Sequence, residues 1–430
     1  MKNISFKLVV VVMLITSVIN SQTKSFDTLR KAFISGYTNL ELSGLQINYV
    51  DVLRSIQPKE NLKQQEQFFK AMENKLSEVN LQLLTKHEQV QCFIMSYETS
   101  LNLKRIELEK EWKFNQSLDE RKSIYSVDNG KKWYVYLLQR WVDIEVTPEQ
   151  MFQFGLEQIN VVKSNMEKLQ KKSGLTVSDF EAYLNNASFF IKNENDVQKA
   201  FVDTKNIVTL TSKAMFPYIE SIPEVRIERG TNASLSHVPA YYSNNTFYYN
   251  MFDEPFNKRQ IGWFYAHEAI PGHHYQFSVN AFVNRSEIQN LFWYSGFAEG
   301  WGAYTEHLGK ELGVYKTIYD EYGKWEWDLI RSVRVALDVG INYYGWSDEK
   351  AISFWKEHIF NQDDIGWREI ARMKRWPAQV ITYKYGSDIF LKLLHKAKSK
   401  KGFDYKKFHK MVLLYGDIPI SLLKRNLKND

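Results

Sequence analysis

A proline–glycine pair interrupts the most histidine-rich segment of the chain and limits the backbone it can adopt. The segment reads WFYAHEAIPGHHYQF, residues 263–277, and holds three of the nine histidines within eight residues. In a regular helix, the ring of Pro271 would strike the carbonyl of His267, and Pro271 has no N–H to donate. Gly272 adds backbone freedom. We therefore expect an interrupted helix, with Pro271 and Gly272 bulging outwards.

This interruption decides which histidines can bind one metal ion. In an H-E-x-x-H helix, two imidazoles four residues apart share one face and bind zinc. In an uninterrupted helix, His273 would point about 120° away from His267, and His274 would lie about 10 Å along the axis. If Pro271 and Gly272 bulge out, the order H-E-A-I-H-H remains, and His273 takes the second ligand position. His274 is the alternative ligand, if the bulge absorbs one residue more.

A third ligand is expected because catalytic zinc sites use three protein ligands and leave one position open. The best candidate is Glu299 in WYSGFAEGWGAYTEHL, residues 293–308, where Gly296 and Gly300 permit close helix approach. Glu306, seven residues later, lies on a similar helical face and is expected to support a ligand from behind.

Glu268 is predicted to act as a base rather than as a ligand. It is adjacent to His267 and therefore points to another face of the helix. From there it can take a proton from the water that attacks an amide carbonyl. Zinc is inferred from the ligand types, and manganese or cobalt could occupy the same site.

Composition narrows the class of protein. The chain has 430 residues, 44% apolar and 25% charged, and its net charge is only +6, without the concentrated basic face of a nucleic-acid-binding protein. Cys92 is the single cysteine, which excludes an intramolecular disulfide. A soluble globular protein that does not bind nucleic acid is expected.

The N-terminus is typical of a secretory signal peptide. Lys2 and Lys7 precede an apolar run, residues 8–19, which is followed by small and polar residues with a cleavage point after Ser21. The run is too short for a comfortable membrane span, so we expect no stable membrane insertion of the mature chain. No cysteine near residue 21 offers a lipid anchor. A secreted or periplasmic protein is predicted, and a retained N-terminal anchor is the alternative.

Helical periodicity dominates the remainder. Residues 61–84 carry apolar side chains at spacings of three and four. TPEQ at 147–150 predicts a helix start, with Thr147 as N-cap, Pro148 at the first position and Gln150 in a capping box. A second start is expected at Thr176.

Strand-like segments are few, EVRIER and NTFYYNMF, and both lie just before the histidine cluster. The sequence thus predicts a mainly α protein with a small β-sheet near residues 220–255. Beyond a signal peptide at 1–21, we divide it into a helical scaffold at 22–220 and a catalytic metal-binding region at 221–430.

These motifs resemble a bacterial family catalogued as domain of unknown function 885, whose members look like zinc metallopeptidases of the gluzincin type. The interrupted block H-E-x-x-P-G-H-H is specific, and E-G-W-x-x-Y-x-E, DVGINYYGWS and RMKRWPAQVITYKYG are supportive. The resemblance extends from about Thr147 to the C-terminus. It implies a multi-helix gluzincin-like fold with a small sheet beside the active-site cleft, one bound divalent metal and peptide hydrolysis.

The resemblance also suggests residues for substrate. It implies Tyr383 as a donor to the oxyanion, and Arg372 and Arg375 as the pair that grips a substrate carboxylate, for which the planar arginine fork is suited. His237 is a further residue expected to face the cleft. Asn342 stands where the family usually has histidine, so substrate binding or activity could differ here.

Three functions are compatible with these residues. The first is a secreted zinc-dependent peptidase that hydrolyses peptide substrates. The second is a metal-dependent hydrolase of a non-peptide amide or ester, and the third a non-catalytic binding protein on a decayed peptidase scaffold. Glu268 argues against the third, since a pure binder needs no general base. Endo- or exopeptidase action and the oligomeric state are left open.

Overall fold

The computed structural model describes residues 25–235, 238–252, 254–283 and 285–426. They form two compact units, one made of 25–118 with 286–293 and the other of 119–285 with the residues from 294 onwards. The predicted signal peptide and its cleavage point at Ser21 lie outside the described residues. Residue 220 falls within the second unit, and the scaffold and catalytic roles predicted for its two sides stay predictions.

The first unit is helical. Its helices are α1 (25–39), α2 (Tyr49–Arg54), α3 (Lys59–Ser77), α4 (Lys86–Lys110) and α11 (Glu287–Asn290). The helix predicted over 61–84 ends at Ser77, and Phe69, Met72 and Leu76 are buried on its inner face. Helix α4 begins after a capping box at Thr85, whose hydroxyl accepts a hydrogen bond from the backbone N–H of Glu88.

The second unit holds the remaining helices. They are α5 (Gly130–Val142), α6 (Pro148–Ser173), α7 (Val177–Leu184), α8 (Glu194–Met215), α9 (Ile261–Glu268), α10 (His273–Val279), α12 (Ser295–Glu306), α13 (Ile318–Asn342), α14 (Asp348–His358), α15 (Asp363–Arg375), α16 (Ile381–Lys398), α17 (Tyr405–Val412) and α18 (Ile420–Asn426). Both predicted starts are confirmed, because the hydroxyls of Thr147 and Thr176 cap α6 and α7.

Helix α13 forms the centre of this unit. It is buried along almost all of its C-terminal two-thirds. It packs closely on α6, where a Cβ added to Gly155 would lie 2.7 Å from the backbone N of Ala336. Glycine at 155 therefore permits backbone contact between the two helices.

A three-stranded sheet accompanies the helices. Strand β2 (Arg226–Arg229) pairs in parallel with β4 (Thr246–Tyr249), which pairs antiparallel with β3 (Ala240–Ser243). The predicted sheet near residues 220–255 is confirmed. Strand β4, within NTFYYNMF, is central and therefore offers no free edge, whereas β3 is an edge strand among the described residues. Strands β1 (Phe190–Ile191) and β5 (Phe256–Asn257) form a separate short pair.

The β3–β4 turn explains why β3 was not predicted. Asn244 and Asn245 both have positive φ, 47° and 60°. This is the backbone of a two-residue type I′ turn, in which asparagine is favoured. The protein is thus mainly α with small sheets, as predicted. No helix in the described part of the chain is long and apolar enough to cross a membrane.

Candidate metal centre

The proline–glycine pair divides one helical segment into two. Helix α9 ends at Glu268, and α10 begins at His273 after a cis Ile270–Pro271 peptide bond. Across the break, the N–H of Tyr275 donates to the carbonyl of Ala269 at 3.3 Å, six residues earlier instead of four. Two residues are therefore looped out of the hydrogen-bond ladder, in agreement with the predicted bulge.

Contacts from the chain itself hold this loop. A Cβ on Gly272 would lie 1.8 Å from the carbonyl oxygen of His267, so the loop can fold back on α9 only with glycine at this position. The indole N–H of Trp301 in α12 donates to the carbonyl of Pro271 at 2.8 Å. The hydroxyl of Thr305, one turn later, donates to the carbonyl of Ala266 at 2.8 Å. Helix α12 thus satisfies carbonyls that the break leaves without helical partners.

The loop brings the predicted ligands together. The Nε2 atoms of His267 and His273 lie 3.8 Å and 3.3 Å from Oε2 of Glu299. One ligand atom from each residue lies within 4.8 Å of the others, and the two imidazole planes are perpendicular. Two imidazoles and a carboxylate on one side of a small space are the donor types and the number of protein ligands of a catalytic zinc site.

Glu306 supports the first histidine from behind. Its Oε1 lies 2.7 Å from Nδ1 of His267, and its Oε2 accepts from the guanidinium of Arg331 at 2.5 Å. Because a carboxylate can only accept, Nδ1 of His267 carries a proton and Nε2 is left to face the metal space. This histidine–carboxylate arrangement orients a metal ligand and fixes its tautomer.

The electrostatics of the site favour a cation. Burial disfavours a charged ring at His267, but the hydrogen bonds of Glu299 and Glu306 outweigh it and raise the pKa of His267 to about 9. Burial likewise opposes charge on Glu299, yet His267 and His273 hold the pKa of this carboxyl well below its usual range. The carboxylates thus draw positive charge into the space between the ligand atoms, and the donor set fits a divalent transition-metal ion.

His274, the alternative ligand, lies elsewhere. It is fully buried, its Nε2 is 2.8 Å from the carbonyl of Pro223, and its Nδ1 is 3.2 Å from the hydroxyl of Tyr242. Burial lowers the pKa of His274, which keeps the ring neutral. Both of its nitrogens therefore have partners, and the structure groups His273, not His274, with His267 and Glu299.

Glu268 lies at the last position of α9, beside the ligands. It is half-buried, and no hydrogen bond or salt bridge engages its carboxylate within the described residues. The negative charge of Glu268 contributes to the raised pKa of His267. A carboxylate held next to the metal space without a structural partner is free to accept a proton.

Tyr383 lies beside His267, and Arg372 is a close neighbour of Tyr383. The Tyr383 ring is nearly parallel to that of His267, with centroids 6.2 Å apart. Burial and the charge of Glu299 raise the pKa of Tyr383, whereas Arg372 and Gln379 oppose this change. The phenol is therefore a neutral hydrogen-bond donor at neutral pH, beside the metal space.

Arg372 and Arg375 of α15 both lie close to the ring of Trp376. Their guanidinium groups lie 5.4 Å and 5.1 Å from the centre of its ring. Arg372 donates to Gln379 at 2.7 Å and is 3.9 Å from Glu369, whereas Arg375 has no salt bridge among the described residues. Glu369 also pairs with the buried Arg334. The group formed by Arg334, Arg372, Arg375 and Glu369 therefore carries more positive than negative charge.

Two of the predicted substrate residues are not seen at the ligands. Asn342 is fully buried, and its side-chain amide donates to the carbonyl of Met373 at 3.0 Å, which ties α13 to α15. His237 lies outside the described residues. The roles in substrate binding predicted for both stay predictions.

Sequence reasoning missed two residues that shape the site. Gly302 leaves room for the His267 ring, because a Cβ there would lie 2.8 Å from its Cε1. Arg331 was missed although it sits in α13 among apolar residues, with Arg334 three positions later. Charged residues in a fully buried helix are an available signal, since such groups need partners.

Comparison with known proteins places the chain in a family. The model of a bacterial protein family of unknown function, DUF885, matches residues 105–427. A structure described as a "putative lipoprotein from Colwellia psychrerythraea" is similar with a TM-score of 0.64 and 24% identity, over 88% of this chain and 69% of that one. Another, a "putative lipoprotein of unknown function from Shewanella oneidensis", has a TM-score of 0.71 and 15% identity, over 94% and 99%. No curated protein matches. The protein belongs to the bacterial DUF885 family, and it is similar in fold to these two proteins.

Proposed function

We propose that this protein is a zinc-dependent peptidase that works outside the cytoplasm. The observation that carries the proposal is the convergence of His267, His273 and Glu299 beside Glu268. No hydrogen bond or salt bridge engages the carboxylate of Glu268 within the part of the chain that the structure describes. A purely structural metal site would have no use for such a base. The gluzincin-like character of the site is part of the same proposal.

His267, His273 and Glu299 would hold the metal, and Glu306 would orient His267. A bound zinc ion supplies Lewis acidity, which polarises a carbonyl and makes water acidic enough to react at neutral pH. The chain's own contribution is to fix the ligand directions from α9, α10 and α12.

Glu268 would take a proton from the attacking water and pass it to the leaving amine, the two transfers that peptide hydrolysis requires. Tyr383 would donate a hydrogen bond to the oxyanion, the former carbonyl oxygen, that forms when water attacks the carbonyl carbon. The raised pKa of Tyr383 keeps its phenolic hydrogen in place, and donors aimed at a developing charge contribute strongly to catalysis.

Substrate recognition would use two features. Strand β3 is an edge strand among the described residues, and such a strand can pair with an extended peptide. The planar guanidinium groups of Arg372 and Arg375 would bind a substrate carboxylate. Arg375 is suited to this because it has no salt bridge among the described residues.

The location is inferred from two observations. The N-terminal 21 residues have the layout of a signal peptide. The two similar structures are described as candidate lipoproteins, although this chain has no cysteine near the predicted cleavage point.

The test is mass spectrometry of a mixed peptide pool incubated with the zinc-loaded mature protein. Glu268→Gln is the matched variant, since it removes the base and keeps all three ligands. Fragments from the wild type alone, with equal metal content in both proteins, support the proposal. Fragments from neither protein, with zinc bound to both, would overturn it in favour of another amide or ester substrate or a binding role.

A further inference from the structure

Phe277 is an exposed aromatic residue directly against a metal ligand. It is 38% exposed, the only exposed residue of α10, and its ring stacks on His273 with centroids 5.7 Å apart and planes at 17°. Other residues of α10, such as Tyr275 and Val279, are fully buried. Isolated exposed phenylalanines are common, but this one lies against one face of the His273 ring, and we call this aromatic surface the wall.

A second aromatic residue extends this wall. The Tyr242 ring in β3 stacks on Phe277, with centroids 6.0 Å apart and planes at 20°. Tyr242 is only partly exposed and lies on the edge strand of the sheet. The ring of Phe277 therefore connects the strand edge with the ligand His273, and all three rings lie roughly parallel.

His274 fixes the position of Tyr242. The carbonyl of Pro223, 2.8 Å away, can only accept, so Nε2 of His274 carries the hydrogen. Nδ1 of the neutral ring is then an acceptor for the hydroxyl of Tyr242 at 3.2 Å. The second histidine of the pair thus joins α10 to β3, and this explains why it is not a ligand. The backbone N–H of Asn245 also donates to the Tyr242 hydroxyl at 3.2 Å, so Tyr242 is held both by α10 and by the β3–β4 turn.

We infer that Phe277 and Tyr242 form one wall of a specificity subsite that binds an aromatic or large apolar side chain of the substrate. This inference rests on the proposed peptidase function. A peptide paired with the edge of β3 projects alternate side chains towards the face that carries Tyr242. A side chain on that face meets Phe277 immediately beside the metal ligands. Aromatic rings favour offset or edge contacts with another ring, which sets the chemistry of the occupant.

The experiment compares peptides that differ at one position, with Phe, Leu, Ala or Glu on either side of the scissile bond. The wild type is expected to prefer Phe and Leu on one side. Phe277→Ala should lower kcat/KM for the Phe peptide about tenfold, mainly through KM, because ring contacts of this kind are worth that much. It should change the Ala peptide little. Phe360→Ala, at a phenylalanine that is 70% exposed and outside the cluster, is the control.

Three results would overturn the inference. The first is an unchanged side-chain preference in Phe277→Ala, and the second is a wild-type preference for Ala or Glu. The third is loss of bound zinc in Phe277→Ala, which would make Phe277 a support for His273 and not a substrate contact.

A binding measurement separates this subsite from the proposed function. Calorimetry with N-acetyl-phenylalanine amide and N-acetyl-alanine amide needs no turnover. If no peptide is cleaved, the proposed peptidase function is refuted. Tighter binding of the phenylalanine compound to wild type than to Phe277→Ala would then still support the subsite. Equal binding, or no binding, would refute the subsite by itself.

Discussion

Replacing Glu306 by glutamine should lower both the affinity for zinc and the free energy of unfolding. Glu306 is fully buried between Nδ1 of His267 and the guanidinium of Arg331, whose side chain is 4% exposed. The amide oxygen of glutamine can still accept from His267, but its NH₂ group then faces the donors of Arg331. Removing one partner of a buried ion pair costs about 3–5 kcal/mol. Losing a carboxylate behind a metal-binding histidine typically costs about 10–100-fold in affinity.

Zinc affinity is measured by competition with a fluorescent chelator, and the free energy of unfolding by denaturant titration. Glu224→Gln is the matched control, because this carboxylate is 83% exposed and pairs with Lys205. Surface pairs are worth at most about 1 kcal/mol. The double variant Glu306→Gln/Arg331→Met should lose less stability than the two single variants together, since it leaves no unpaired buried charge. Glu306→Gln with an unfolding free energy within about 1 kcal/mol of wild type would refute the buried-pair reasoning.

Three further predictions concern other residues. Tyr383→Phe should lower kcat more than it raises KM, and an unchanged kcat would return the phenol to a structural role. Arg375→Ala should raise KM for peptides with a free C-terminal carboxylate but not for their amides; equal effects on both would exclude carboxylate binding. His409 is fully buried, and burial lowers its pKa to about 3. Below about pH 6.5 the unfolded chain binds a proton that the folded one does not, so stability should fall by up to about 1.4 kcal/mol per pH unit. His409→Gln should lack this component in pH-dependent denaturation curves, and an identical pH slope would contradict it.

Local rules predicted the parts of the fold that depend on local chemistry. The start of α6 follows from the hydroxyl of Thr147, the missing N–H of Pro148 and the side chain of Gln150, all within four residues. The two-residue bulge followed from the steric properties of proline and the backbone freedom of glycine. Such features need no knowledge of distant contacts.

Features that depend on distant contacts were harder to predict. Pro223 and Tyr242, 51 and 32 positions away along the chain, occupy both nitrogens of His274. They explain why the structure groups His273 rather than His274 with His267 and Glu299. Strand β3 was missed because its turn contains two asparagines, where the more familiar signal is Asn-Gly. Residues 286–293 belong to the first compact unit although the chain around them belongs to the second, and no composition change marks that passage.

The two sequence blocks of the site, residues 263–277 and 293–308, depend on each other through one face of α12. Glu299, Gly302 and Glu306 are spaced by three and four residues, so they lie on one side of α12. Their roles follow from what each contacts: Glu299 faces Nε2 of both histidines, Gly302 leaves space for the His267 ring, and Glu306 binds its Nδ1. The position of His267 is therefore determined as much by α12 as by its own helix.

Gly302→Ala tests this dependence with a single methyl group. The added Cβ would lie 2.8 Å from Cε1 and 2.9 Å from Nε2 of His267, so the ring must move away from the ligand position. Alanine is favoured over glycine in a helix by about 1 kcal/mol, which offsets part of the cost of moving the ring. We therefore expect zinc affinity to fall at least about tenfold while the free energy of unfolding of the metal-free protein changes little. Gly44→Ala, where no atom lies within 4 Å of the new Cβ, is the control. If Gly302→Ala bound zinc as tightly as wild type, His267 would not need the space that this glycine leaves, and His267 as a ligand would be in doubt.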